Sequence, residues 1–184
     1  MRVITGTARG CVLKAPKGME TRPTLDQVKE AIFSVIQFEV EGRRVLDLFA
    51  GSGQMGIEAL SRGAKSAVFV DAGKEAVKVV KENLEKTRLA ERAQVFQANY
   101  LSYLKSCRQS FDLIFLDPPY AEDFLENALK TISEIDILSE SGIIICERPS
   151  EKELLGDFPG LRRCRDYHYG RAAVTIFRKG DQTL

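Results

Sequence analysis

Arg44-Val45-Leu46-Asp47-Leu48-Phe49-Ala50-Gly51-Ser52-Gly53-Gln54-Met55-Gly56 is the stretch whose reading decides the fold. An apolar run of Val, Leu and Phe stops at a glycine loop, and a helical pattern opens at about Met55, so the stretch reads as strand, turn and helix. The glycines fall as G-x-G-x-x-G. Gly51 and Gly53 let the backbone turn sharply and approach a ligand with no Cβ in the way, and Gly56 lets the helix pack closely on the strand. Such a loop, taken alone, is equally a tight structural turn. Two acids add to it. Asp47 lies inside the apolar strand, where a carboxylate is costly without a partner. Asp71 stands twenty residues after Gly51, at the end of a second apolar run Ala67-Val68-Phe69-Val70; that is the spacing at which an acid meets a ribose hydroxyl pair. An adenosine-containing cofactor is expected.

Working outward, strand 44–49 is followed by a regular alternation. The pattern predicts helix 55–62, strand 67–71, helix 74–88, strand 94–98, a short helix 100–106, strand 112–117, helix 122–133 and strand 143–147. Alternation with Val/Ile/Phe-rich strands argues an α/β fold, a mostly parallel sheet covered by helices on both faces. Segments around Arg163–His168 and Ala172–Phe177, on either side of Tyr169-Gly170-Arg171, read as a closing antiparallel hairpin. Upstream, Arg2-Val3-Ile4-Thr5-Gly6 and Gly10-Cys11-Val12-Leu13 read as two short strands around a turn, an N-terminal β-hairpin that presents Arg2, Arg9 and Lys14. A loop with Pro16 and Gly18 follows. Thr24 or Asp26 then caps a helix whose apolar positions are Val28, Ile32, Phe33, Val35 and Ile36.

At 184 residues with 44% hydrophobic content, the chain is long enough for one domain with a real core: a hairpin and loop over 1–21, and a catalytic core over 22–184. No run approaches the length of a membrane span, and no signal-peptide pattern opens the chain, so a cytoplasmic protein that does not bind membranes is expected. Cys11, Cys107, Cys146 and Cys164 are scattered without a C-x-x-C, and with a single histidine, His168, no metal site is expected. The net charge of +1 conceals a segregation: residues 1–29 carry six Lys/Arg against two acids, residues 160–184 repeat that ratio, and the middle is acidic. Clustered positive charge at the ends is the electrostatic footprint of a polyanion-binding surface.

Phe111-Asp112-Leu113-Ile114-Phe115-Leu116-Asp117-Pro118-Pro119-Tyr120 decides which cofactor is meant. Asp-Pro-Pro-Tyr at the carboxyl end of a fourth strand resembles the catalytic motif of S-adenosylmethionine-dependent amino-methyltransferases. The ordered set of Arg2-Val3-Ile4-Thr5-Gly6 with Arg9-Gly10, Arg22-Pro23-Thr24 with Asp26, Val28, Lys29 and Glu30, the glycine loop, Glu58-Ala59-Leu60-Ser61-Arg62-Gly63 and Asp117-Pro118-Pro119-Tyr120 is similar to the bacterial 16S ribosomal RNA guanine-N2 methyltransferases of the RsmD type. The resemblance covers nearly the whole chain. It implies a class I methyltransferase fold, Rossmann-like, with a seven-stranded sheet. It also implies S-adenosylmethionine as cofactor, held by Asp47, Phe49, Ala50, Gly51, Ser52, Gly53, Gly56, Asp71, Asn99 and Tyr100, with Asp117, Pro118, Pro119 and Tyr120 catalytic. The implied partner is 16S rRNA within a small-subunit assembly intermediate, gripped by Arg2, Arg9, Lys14 and Arg22, and the protein is expected to be a monomer. This sequence departs from the family's pattern twice. Asp71 is followed by Ala72-Gly73 where the family often has a second acid, and Asn99 stands for the adenine-edge contact where related enzymes carry Asp.

Asp117 and the Pro118 carbonyl are expected to accept the two hydrogens of an exocyclic amine, because a proline keeps its carbonyl and offers no competing N–H. That aligns the nitrogen lone pair, and Tyr120 is expected to stack on the base. Two rivals belong to other classes. A DNA adenine or cytosine amino-methyltransferase shares the tetrapeptide but needs a target-recognition domain, and a non-catalytic RNA-binding module would have no use for an intact Asp-Pro-Pro-Tyr.

Overall fold

The computed structural model describes residues 1–18, 23–119 and 123–180, with the backbone alone at 23–25. Helix α1 (Pro23–Val35) precedes β1 (Arg44–Asp47), α2 (Gln54–Ser61), β2 (Ser66–Asp71), α3 (Lys74–Thr87) and β3 (Ala93–Gln97). Then come α4 (Tyr100–Ser106), β4 (Phe111–Leu116), α5 (Phe124–Ile135), β5 (Leu138–Pro149), β6 (Leu161–Tyr169) and β7 (Ala172–Lys179). The strands form one seven-stranded sheet in the order β3-β2-β1-β4-β5-β7-β6. The first five are parallel to their neighbours, and β7 inserts antiparallel between β5 and β6. The chain runs outward from β1 to β3 and then crosses back to β4. The switch point between β1 and β4 is where such sheets open a crevice outside the strand ends.

Successive strand residues point to opposite faces, and the core divides accordingly. Val45, Phe69, Leu113, Phe115, Ile143 and Ile145 pack with Ile32 and Phe33 of α1, Ile57 and Leu60 of α2, and Val80 and Leu84 of α3. Leu46, Val68, Ile114, Leu116, Ile144 and Cys146 pack on the other face with Leu104 of α4 and Leu125, Leu129 and Ile132 of α5. The near-continuous apolar strands of the sequence are therefore strands covered on both sides. Each buried Leu, Ile or Phe contributes about 1.5–3 kcal/mol by leaving water.

The structure differs from the sequence reading at several places. Helix α1 begins at Pro23, a residue suited to a first turn because its missing N–H has no helical acceptor there, so Thr24 and Asp26 lie inside the helix instead of capping it. Strand β1 stops at Asp47, and β5 starts at Leu138 because Leu138 pairs with Phe111 ahead of a register shift. The expected N-terminal pair of strands reduces to a single antiparallel bridge, Arg2 with Val12. Residues 4–8 are drawn away from their own hairpin by α2. Ile4 and Thr5 donate their amides to the Glu58 carboxylate at 2.8 and 3.0 Å, Ala8 to Ser61 Oγ at 2.9 Å and Thr7 to the Ser61 carbonyl at 2.9 Å.

Glu58 is fully buried, and so is its cationic neighbour Lys29. The Lys29 ammonium lies 3.8 Å from Glu58 and donates to the Arg2 carbonyl at 2.6 Å. Arg62 completes the cluster, its Nε donating to Glu58 at 2.8 Å and its guanidinium lying 4.6 Å over the Phe33 ring. Glu58 thus ties the amino terminus, α1 and α2 together. The start of the chain also reaches the glycine loop, with Ser52 Oγ donating to Met1 Sδ at 3.0 Å.

Candidate active site

Four neighbouring strands end in carboxylates: Asp71 closes β2, Asp47 closes β1, Asp117 follows β4, and Glu147 lies near the end of β5. Alternation puts all four on the α1–α3 face, since Phe69, Val45, Phe115 and Ile145, two residues before them, belong to that core. Glu147 is opposite Val174 of β7, another member of that core. The row spans the switch point, where the topology opens its crevice.

The glycine loop leaves β1 beside this row. Gly51 and Gly53 have φ of 56° and 78°, left-handed conformations that a side chain would strain. At Gly56 the reason is contact, because an added Cβ would sit 2.3 Å from the Phe69 ring. The acids shape the loop. Asp47 Oδ2 accepts the Gly56 amide at 3.0 Å, while Asp71 accepts Gly51 N–H at 2.9 Å through Oδ2 and Gly73 N–H at 2.8 Å through Oδ1. The glycine that replaces the family's second acid supplies one of these donors. Ala50 and Ser52 are buried, and Asn83 of α3 holds the Ser52 carbonyl at 2.9 Å. The loop is held from three elements before any ligand arrives.

Asn99 and Tyr100 start α4 at the end of β3. Asn99 Oδ1 caps that helix, accepting Leu101 N–H at 2.9 Å and Ser102 N–H at 3.4 Å, so a base edge would be met by its amide nitrogen. Tyr100 is buried and lies 5.0 Å from Phe49 and 5.5 Å, edge-on, from Phe124. These three rings form an aromatic wall between the glycine loop and the start of α5.

Electrostatics mark the row. Burial, opposed by the Gly56 hydrogen bond and aided by the charge of Asp71, pushes the Asp47 carboxyl up to about 7. Burial first, then the neighbouring Glu147 and Asp47 carboxylates, raise Asp117 well above the usual carboxylate range. Groups so perturbed, in a crevice, are where chemistry is to be expected. A cationic ligand laid across the row would favour the ionised forms.

Pro118 is buried and Pro119 exposed; Tyr120 lies outside the described residues. Beside them a cleft is lined by Pro118, Pro119, Leu125, Glu147, Arg148 and Leu154. Arg148 turns to the opposite face from Glu147 and is locked there, its Nε on Thr175 Oγ1 at 3.1 Å and its Nη2 3.3 Å from Asp166. Sequence reasoning missed Glu147. Its signal was available, an acid ending the apolar run Ile143-Ile144-Ile145-Cys146, the same signal that singled out Asp71.

Of the basic residues expected to meet RNA, Arg2, Arg9 and Lys14 are exposed, and Arg22 lies outside the described residues. Lys14 is not a free charge: its ammonium is 2.6 Å from Glu82 of α3, an exposed pair of the kind worth about 0–1 kcal/mol. Its amide and carbonyl pair with the Asn83 side chain at 2.8 and 3.0 Å.

The sequence matches the family described as "Conserved hypothetical protein 95" over residues 1–178. It is 44% identical over 182 residues to "Putative rRNA methyltransferase YlbH" of Bacillus subtilis, covering 97% of this chain and 99% of that one. It is 35% identical over 158 residues to "Ribosomal RNA small subunit methyltransferase D" of Haemophilus influenzae, covering 84% and 82%. Among solved structures, "Putative methyltransferase yhhF from Escherichia coli" superimposes with a TM-score of 0.86 at 28% identity, covering 99% of both chains.

Proposed function

Because this chain belongs to the Conserved hypothetical protein 95 family, alongside relatives named as ribosomal RNA methyltransferases, we propose that it methylates the exocyclic N2 amine of a guanine in 16S rRNA of the small ribosomal subunit. It is a methyltransferase with a class I, Rossmann-like fold, and its methyl donor is S-adenosylmethionine. The observation that carries the finer reading is the placement of Asp117-Pro118 at the end of β4, next in the carboxylate row to the Asp47–Asp71 cradle. Its substrate is 16S rRNA in an assembly intermediate of the small subunit, and it acts as a monomer.

The cofactor, when bound, supplies an electrophilic methyl group on a positively charged sulfur. The chain's residues do the rest. Gly51 and Gly53 admit the ligand to the backbone, Asp71 accepts ribose hydroxyls while fixing the loop, and the Asn99 amide meets the adenine edge. An exocyclic base amine is a poor nucleophile because its lone pair is delocalised into the ring. Asp117 and the Pro118 carbonyl accept its two hydrogens and direct the pair along the line of displacement, and such positioning supplies much of the rate. Asp117 is placed to hold the proton that the nitrogen releases. Tyr120 gives the base a stacking platform, worth about 1–3 kcal/mol.

Incubation with radiolabelled S-adenosylmethionine and either ribosomal RNA or DNA tests the class of substrate. Label in RNA and none in DNA is the expected result, and label in DNA would overturn it. Asp71→Ala should weaken cofactor binding by about 1–3 kcal/mol, the cost of losing a charged hydrogen-bond acceptor, and calorimetry showing unchanged affinity would remove Asp71 from the site.

Arg9 and Lys14 are the natural grips for RNA phosphates, which position a protein without reading sequence. Replacing both by Ala should weaken RNA binding and flatten its log–log salt dependence by about 0.7 unit for each phosphate released, cofactor affinity being untouched. Because Glu82 already neutralises Lys14, Arg9 should carry most of the change. A lowered melting temperature with an unchanged salt slope would instead make this segment a cover for α2 and α3.

A further inference from the structure

The positive charge clustered over residues 160–184, six Lys/Arg against two acids, lies outside the cofactor and target-base site. We infer that the outer edge strand β6 holds an unpaired stretch of the substrate RNA, with Tyr167 and Tyr169 as a stacking surface and Arg165 and Arg171 against its phosphates. The inference rests on the reading of this chain as an RNA methyltransferase and assigns a surface for RNA beyond the target base. The structure sorts the six cations. Arg163 pairs with Asp166 at 2.7 Å, Arg178 with Glu39 at 2.6 Å and Lys179 with Asp136 at 2.7 Å. Arg165, Arg171 and, at the far end of β6, Arg162 are exposed and have no acidic partner among the described residues. Exposed cations left unmatched are the ones that phosphates can neutralise.

A register shift between Arg163 and Arg165 sends their side chains to opposite faces of the sheet. Arg163 faces Phe177 of the α4–α5 core, and Arg165 faces Ile176 of the α1–α3 core. Tyr167 and Tyr169 follow Arg165 on that second face, opposite Val174 and Ala172, and stay half-buried against the same core. Their rings are near-parallel, 17° apart with centroids at 6.5 Å, and Arg165 Nη1 donates to the Tyr167 hydroxyl at 3.4 Å. This is the face of the carboxylate row. Val174 pairs with Tyr167 on one side and Glu147 on the other, so Tyr167 stands two strand spacings, about 10 Å, from the row. Tyr169 is opposite Ala172, whose other partner is Pro149 at the end of β5, so the tyrosine end of β6 is the crevice end. The amino-terminal segment is bound to α2 and α3, which pack on β1, β2 and β3, so β6 takes RNA on the far side of the crevice from Arg9 and Lys14. Single-stranded nucleic acid is held by such a combination, rings on which any base stacks beside cations that follow the backbone. An edge strand guarded against pairing with another chain needs only the charges, and that role leaves the two parallel rings unexplained.

The test measures the affinity of the full chain for small-subunit ribosomal RNA across a range of salt, beside its affinity for S-adenosylmethionine and its melting temperature. Arg165→Ala combined with Arg171→Ala should flatten the log–log salt slope by about 1.4, at about 0.7 for each contact to a single strand. Tyr169→Leu keeps an apolar cover on the core and loses the stacking ring, so it should weaken RNA binding about tenfold at an unchanged slope, whereas Tyr169→Phe should stay within about twofold of the wild type. Cofactor affinity should be the same in all of them. An unchanged slope in the arginine variant would overturn the inference, as would a Tyr169→Leu variant that binds RNA as the wild type does or a Tyr169→Phe variant as weak as Tyr169→Leu. Self-association of the arginine variant with RNA binding intact would overturn it too and make the edge a guard against strand pairing. If Tyr169→Leu does not fold, the slope of the arginine variant decides alone. Failure of the underlying reading looks different, since the wild-type protein would then transfer no methyl group to ribosomal RNA.

Discussion

Asp117→Ala should cost about 10²–10³-fold in turnover, the usual loss when one preorganised hydrogen-bonding group is taken from a reacting centre, and leave affinity for S-adenosylmethionine unchanged. The separation follows from geometry. The glycine loop is held by Asp47, Asp71 and Asn83, none of which depends on Asp117. An interaction made only as the amine becomes nucleophilic lowers turnover without touching cofactor binding. Stability offers a control. Asp117 is crowded by burial and by the carboxylates of Glu147 and Asp47, so its removal relieves repulsion, and the melting temperature should hold or rise. Single-turnover rates beside calorimetry of cofactor binding make the measurement, and a parallel loss of affinity and rate would make Asp117 a cofactor ligand.

The largest effect on stability should come from Glu58→Ala. Removing one partner of a buried ion pair typically costs about 3–5 kcal/mol, a large part of the about 5–15 kcal/mol that holds a domain folded. Here the loss would take the carboxylate from the Lys29 ammonium, at 1% exposure, leaving it the Arg2 carbonyl, and would take the acceptor from the amides of Ile4 and Thr5. The variant should also acquire a pH dependence. Burial already lowers the proton affinity of Lys29 while Glu58 supports it. Without Glu58 the folded protein holds that proton more weakly still, whereas the unfolded chain keeps it up to the ordinary lysine value of 10.5. The unfolded state then binds more protons, so the deficit should be deepest at neutral pH and shrink as pH rises toward that value. Urea unfolding across pH checks both. A loss below about 1 kcal/mol, typical of an exposed pair, would mean that the cluster holds little.

The sheet was legible because its information is local. Apolar runs bounded by glycine and proline announce strands whatever they pack against, and strand–helix alternation leaves few topologies. The row of carboxylates at the strand ends was legible for a related reason: a carboxylate at the end of an apolar run is expensive, and Asp47, Asp71 and Asp117 stand out by that cost. What escaped was decided by partners far away in the sequence. The Ile4 and Thr5 amides prefer a carboxylate 54 and 53 residues on to their own hairpin, and nothing within 1–13 announces it. The charge of Lys14 has a partner that the local sequence does not announce, Glu82, 68 residues on. Asn99 reads as a ligand contact, and only the helix that follows shows its oxygen to be a cap.

Small-subunit particles from a strain lacking this protein provide the most direct test. They would be incubated with the purified protein and methyl-labelled S-adenosylmethionine, and their RNA digested to nucleosides. Label in N2-methylguanosine, at one guanine of 16S rRNA, is the predicted result. Label in a methylated adenosine or cytidine, or no label in 16S rRNA, would contradict it.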